Sequence, residues 1–97
     1  MAPDVQALLE AMRKLESLLE QNGEDFWSGR VSQAADTVAR SDAYGLTQFL
    51  DLFGGMGSLD DLVLHKSGQP LEAENKRLDT LRSNAWNLAD RLKRQIG

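Results

Sequence analysis

The residue types that could do chemistry are few and scattered along this chain. Among 97 residues there is one histidine, His65, and no cysteine. A histidine general base needs a positioned nucleophile and an orienting partner. The neighbours of His65 are Lys66, Ser67 and Gly68, which read as a solvated turn. One histidine without cysteine cannot compose a typical zinc set, and disulfides and thiolate nucleophiles are excluded outright. Two acidic pairs, Glu24-Asp25 and Asp60-Asp61, could offer oxygen ligands or paired carboxylates, but neither matches the spacing of a calcium loop. The expectation is a protein without cofactor, metal or enzymatic activity.

The run Gly54-Gly55-Met56-Gly57-Ser58-Leu59-Asp60-Asp61-Leu62 places three of the eight glycines within four residues. Glycine serves where the chain must take φ > 0 or let another group come close. Glycines ahead of a helix can cradle a phosphate through backbone N–H groups. Here the lysine of a phosphate loop is missing, the preceding Phe49–Phe53 reads as helix rather than strand, and Asp60 and Asp61 would repel an anion. The alternative is a tight chain reversal. In that reading Met56 plugs the core, and Ser58 caps a short helical turn at Leu59–Leu62, with Asp61 three residues on. Gly54, Gly55, Met56, Gly57, Ser58, Asp60, Asp61 and Leu62 are therefore the candidate site, as a partner-binding surface or as a structural loop.

The elements that must position this loop follow from hydrophobic spacing. Val5, Leu8, Leu9, Met12, Leu15, Leu18 and Leu19 recur at three- and four-residue steps, which predicts a helix over 3–22. Asn22-Gly23 is a stop signal, with Gly23 suited to the left-handed cap. A second helix is expected over 24–40, with Phe26, Trp27, Val31, Ala34, Ala35 and Val38 as its apolar face and Gly29 as a weak point. Ala34 and Ala35 are small enough to admit a close neighbour. A third helix is expected over 42–53, with Tyr44, Leu46, Phe49, Leu50 and Phe53 on its apolar side. Leu62–His65 is the only extended run, and 66–70 reads as a turn. The last helix, 71–96, carries Leu71, Leu78, Ala85 and Leu92 every seven residues, with Leu81, Leu88 and Ile96 completing the stripe. Trp86 and Asn87 lie off it, and Trp86 could contact another helix or stand as an exposed binding anchor. The predicted architecture is all-α: a four-helix bundle-like single domain over 1–97. Its two long helices lie side by side, two shorter ones close it, and a Gly-rich loop leads into a short extended segment.

Charge narrows the choice of partners. Eleven acids against four bases leave residues 1–64 at −7, and seven bases against four acids leave residues 65–97 at +3. An acidic chain is a poor ligand for nucleic acid, whose phosphates need clustered Lys and Arg. It suits a basic protein partner. Charges interrupt every apolar segment, so no membrane span is expected. The start, Met1-Ala2-Pro3-Asp4-Val5, lacks the basic-then-apolar pattern of a secretory signal, so the expected location is the cytoplasm.

The segment Phe53-Gly54-Gly55-Met56-Gly57-Ser58-Leu59-Asp60-Asp61-Leu62-Val63-Leu64 resembles the mark of a family of small bacterial proteins of unknown function, F-G-G-M-G-S-x-[ND]-D-L. Glu24-Asp25-Phe26-Trp27 is similar to their acidic-aromatic opening of a second helix, and the resemblance spans Leu8 to Leu92. Members are in turn loosely similar to the immunity partners encoded beside bacterial toxins. The resemblance implies a cytoplasmic, non-enzymatic bacterial protein and carries over no catalytic residue. Small size, the missing catalytic set, the acidic N-terminal two-thirds and the rigid central loop make an immunity-type inhibitor of a basic bacterial toxin, acting by steric and electrostatic blocking, the leading expectation. The alternative expectation is a homodimeric helical interaction module of housekeeping role, built on the seven-residue stripe.

Overall fold

A computed structural model describes residues 2–96. It contains four α-helices, α1 (Pro3–Gln21), α2 (Asp25–Ala39), α3 (Tyr44–Leu50) and α4 (Glu72–Ile96). Between α3 and α4 lie a single 3-10 turn, Leu59–Asp61, and a hairpin of β1 (His65–Lys66) and β2 (Gln69–Pro70). The chain is thus mostly helical and bundle-like, but the all-α expectation left out the hairpin. His65 pairs with Pro70 and Lys66 with Gln69. The two linking residues, Ser67 and Gly68, both have positive φ, 53° and 79°. That is the demand of a tight hairpin turn whose twist matches its strands.

Packing follows the stripes. Leu8, Ala11, Met12, Leu15, Leu18 and Leu19 of α1 are buried, and α1 lies against both α2 and α4. On α4 the buried residues are Leu78, Ala85, Ala89 and Leu92. The seven-residue repeat is therefore consumed inside the molecule, in the pairing of the two long helices. α3 bridges α2 and α4, which closes a ring of four helices, and Phe49, Leu59 and Leu64 join the same buried core. The 42 Å long axis is close to the roughly 37 Å that α4 spans at 1.5 Å per residue.

Two helix ends share one device. At the end of α1, Glu24 N–H donates to the Leu19 carbonyl and Gly23 N–H to that of Glu20, with Gly23 at φ 74°. At the end of α2, Asp42 N–H donates to Thr37 and Ser41 N–H to Val38. Both are Schellman caps, the second with Ser41 at φ 60° in place of glycine. Asp42 then accepts a hydrogen bond from Tyr44 N–H at 2.9 Å, so its carboxylate starts α3.

Several expectations need correction. α3 is seven residues long rather than spanning 42–53. Leu52 and Phe53 N–H groups donate to carbonyls only three residues back, and Gly54 at φ 91° then turns the chain away. Phe26, Tyr44 and Ile96 are exposed rather than part of the apolar faces. Phe26 and Trp27 are adjacent, and neighbours in a helix cannot share a face. Trp27 takes the core side, while Phe26 lies under the Arg30 guanidinium, 5.0 Å from its ring centre. The close approach allowed by Ala34 does occur. A Cβ added at buried Gly45 would lie 2.7 Å from Val38 N and 3.0 Å from the Ala34 carbonyl oxygen.

Candidate functional site

The glycine run forms a loop closed at its base by one backbone bond, from Leu59 N–H to the Leu52 carbonyl at 2.9 Å. Gly54, Gly55 and Gly57 have φ of 91°, 81° and 73°. An L-residue with a side chain reaches that region only with strain, so the three glycines are required by the path of the chain. No atom lies within 4 Å of a Cβ built at any of them. Their role is conformational, and no tight packing surrounds them.

The loop does not insert Met56 into the core, contrary to expectation: Met56 is fully exposed. Leu59 is the plug, with no exposed surface. Ser58 stands at the cap position of the 3-10 turn with extended backbone, but its side chain makes no cap bond. Its hydroxyl is buried without a partner among the described residues. The backbone carries the turn instead, with Asp61 N–H donating to the Ser58 carbonyl at 3.0 Å. The Asp61 carboxylate reaches one residue past the cap, accepting from Gly57 N–H at 3.0 Å. Asp61 is thus a loop brace, Leu62 is half-buried against the core, and Asp60 points to solvent.

α4 holds the segment after the loop through two side chains that the sequence did not single out. Arg82 Nη1 donates to the Leu59 and Leu62 carbonyls, each at 2.9 Å, and Nη2 donates to the Asp79 carboxylate. Two turns earlier, Asn75 Nδ2 donates to the Leu64 carbonyl at 3.0 Å, and its Oδ1 accepts from Leu64 N–H at 2.7 Å. Leu64 is buried, and Asn75 supplies what a neighbouring strand would. This explains why Leu62–Leu64 is extended without being a strand. The available signal was an Asn and an Arg seven residues apart on one helix face. Asn is a poor helix former, which hints at a hydrogen-bonding task but names no partner.

Beside the loop an open groove of about 570 Å³ runs between the end of α3 and α4. Leu50, Phe53 and Trp86 provide apolar walls, with Phe53 set edge-on to Phe49 at 5.2 Å between ring centres. Asp60, Ser83 and Asn87 provide polar ones. Trp86 is half-buried and lines the groove. The structure therefore brings Gly54 and Asp60 to the groove and sends Met56 outward. His65 is exposed, its Nδ1 2.9 Å from the Val63 carbonyl oxygen. Among the described residues no three His, Asp or Glu side chains converge as metal ligands, and no helix is long and apolar enough to cross a membrane.

Fold and site together define a small helical bundle that displays a glycine-shaped loop clasped by its last helix. The chain belongs to the family described as a domain of unknown function (DUF6966), which matches residues 20–72. That match runs from the last turn of α1 to the start of α4 and includes the whole loop, a narrower span than Leu8–Leu92. No curated protein and no solved structure matches the chain.

Proposed function

We propose that the chain is a non-enzymatic, cytoplasmic protein-binding module of the immunity type, which blocks a basic toxin. The observation that carries this reading is the display of Met56. Three glycines in left-handed backbone hold the loop so that Met56 is fully exposed. Asp60 and Asp61 are exposed beside it on the same restrained segment. A loop shaped only for the core would turn Met56 inward beside Leu59, as burying it would contribute about 1.5–3 kcal/mol. Exposed methionine is an adaptable contact residue, and flanking carboxylates speed encounter with a basic surface. The homodimer alternative loses its motive, because Leu78, Ala85 and Leu92 are already buried within the bundle.

The test is co-expression with the product of the neighbouring gene, assayed for toxicity. The expected outcome is restored growth and a complex that co-purifies at low salt. Neither rescue nor complex would remove the inhibitor reading.

A further inference from the structure

The groove between α3 and α4 has an imbalance of charge that its lining residues alone do not suggest. Arg82 borders it, yet that guanidinium is committed: it donates to two carbonyls and to Asp79, and only 12% of its side chain is exposed. Asp60 has no such partner among the described residues, and it is exposed at the groove edge. The groove thus joins apolar walls of Leu50, Phe53 and Trp86 to one uncompensated carboxylate, Asp60, with Ser83 and Asn87 exposed along α4.

We propose that this groove, together with Met56, is a docking site for an extended protein segment that pairs an aromatic or aliphatic anchor with a nearby Lys or Arg. The anchor packs between Phe53 and Trp86, and the base meets Asp60. Ser83 and Asn87, one helical turn apart, are placed to hydrogen-bond the segment's backbone. The volume lies inside the range of about 300–1,000 Å³ typical of ligand sites. Such sites usually enclose most of a small molecule's surface, whereas this groove is open, and Met56 stands exposed two residues beyond its Gly54 lining. That shape favours a chain passing through. The uncompensated Asp60 carboxylate disfavours a nucleic-acid strand, whose phosphates need clustered Lys and Arg. The inference deepens the binding role proposed above and names the feature of the partner that is recognised.

The test uses the full chain and a phage-displayed library of random twelve-residue peptides, with enriched sequences remade as labelled synthetic peptides for titration. Enriched peptides are expected to combine Phe, Trp, Leu, Ile or Met with Lys or Arg within a few positions. Asp60→Lys reverses the charge at the groove edge and Ser83→Arg fills the groove from an exposed helix position. Each is expected to weaken those peptides at least about tenfold, with circular dichroism and melting unchanged. No enrichment above the bare support, enriched peptides without a base, or equal binding by the two variants would each overturn the proposal. Peptide binding without toxin protection would sink the inhibitor reading and leave the groove intact. Protection retained in full by Asp60→Lys and Ser83→Arg would do the reverse.

Discussion

Replacing either of two helical glycines by alanine should move stability in opposite directions. In a helix interior Gly→Ala ordinarily stabilises by about 0.5–1 kcal/mol, because alanine has less backbone entropy to lose. Gly29 meets that condition: it is exposed within α2, and nothing lies within 4 Å of an added Cβ. Gly45 does not. Its Cβ would sit 2.7 Å from both Val38 N and Val38 Cγ2, and 3.0 Å from the Ala34 carbonyl oxygen. Val38 Cγ2 could rotate away, but the amide nitrogen and the carbonyl belong to the backbone of α2. Relief therefore requires α3 to move off α2 as a body. Overpacking of this kind costs about 1–3 kcal/mol, which exceeds the propensity gain and leaves a net loss of about 1–2 kcal/mol.

The assay is thermal unfolding by circular dichroism, supported by urea titration. For a chain of this length about 1 kcal/mol shifts Tm by roughly 4–8 °C. Gly45→Ala should thus melt about 5–15 °C below the parent, and Gly29→Ala a few degrees above it. If Gly45→Ala matched or exceeded the parent, the close approach of α2 and α3 would be wrong. So would the explanation given for a buried glycine in the first turn of α3.

Three further outcomes follow from the clasp and from an inter-helix ion pair. Arg82→Lys keeps the charge but loses the fork that reaches two carbonyls; it should cost about 2–3 kcal/mol and speed hydrogen exchange at Leu59–Leu62 more than in α1. Asn75→Ala orphans the buried Leu64 amide and should cost about 1–3 kcal/mol, read as a lower urea midpoint. Arg13 joins α1 to α2 through Asp36 at 2.7 Å and pairs with Glu16 at 2.9 Å. Donating first to Asp36 and then to Glu16 raises its pKa above the ordinary guanidinium value. A raised cation gives stability that is fully present below its unfolded pKa and lost only above it. Arg13→Ala should therefore cost the same at pH 7 and pH 9, and only about 0.2–1 kcal/mol for so exposed a pair.

What could be read from the chain divides along local and non-local lines. α1, α2 and α4 were legible to within a residue or two because their stripes and caps are local signals, such as Gly23 after Asn22. The end of α3 was misplaced because Leu52 and Phe53 keep the apolar rhythm while bonding three residues back. Met56 drew attention as the sole apolar residue among glycines. The true plug, Leu59, could be recognised only from where the loop closes. The Ser41 cap was hidden because serine rarely takes left-handed backbone. Asn75 and Arg82 were hidden because the partners that clasp the loop are backbone N–H and carbonyl groups, which no side-chain pattern announces. The loop's exposure and the groove are likewise products of three-dimensional closure.

Helix geometry explains why loop and groove occur together. Residues seven apart on α4 return to nearly the same face. Leu78, Ala85 and Leu92 make one row, buried in the bundle. Asn75 and Arg82 make a second, about 60° around the helix from the first, and this row clasps the loop. Ser83, Trp86 and Asn87 lie beyond the clasp and wall the groove. The groove's other wall is the loop itself, so its width is set by the clasp and by the three glycines, while the bundle rests on the first row. Gly54→Ala tests that separation. Gly54 is exposed at φ 91°, with open space around an added Cβ, so the change introduces only backbone strain of about 1–2 kcal/mol. It should weaken a groove-binding peptide while amide protection along α1 stays near that of the parent. Equal loss of protection along α1 and around the loop would mean that clasp and bundle unfold as one unit, and the independence argued from the two rows would fail.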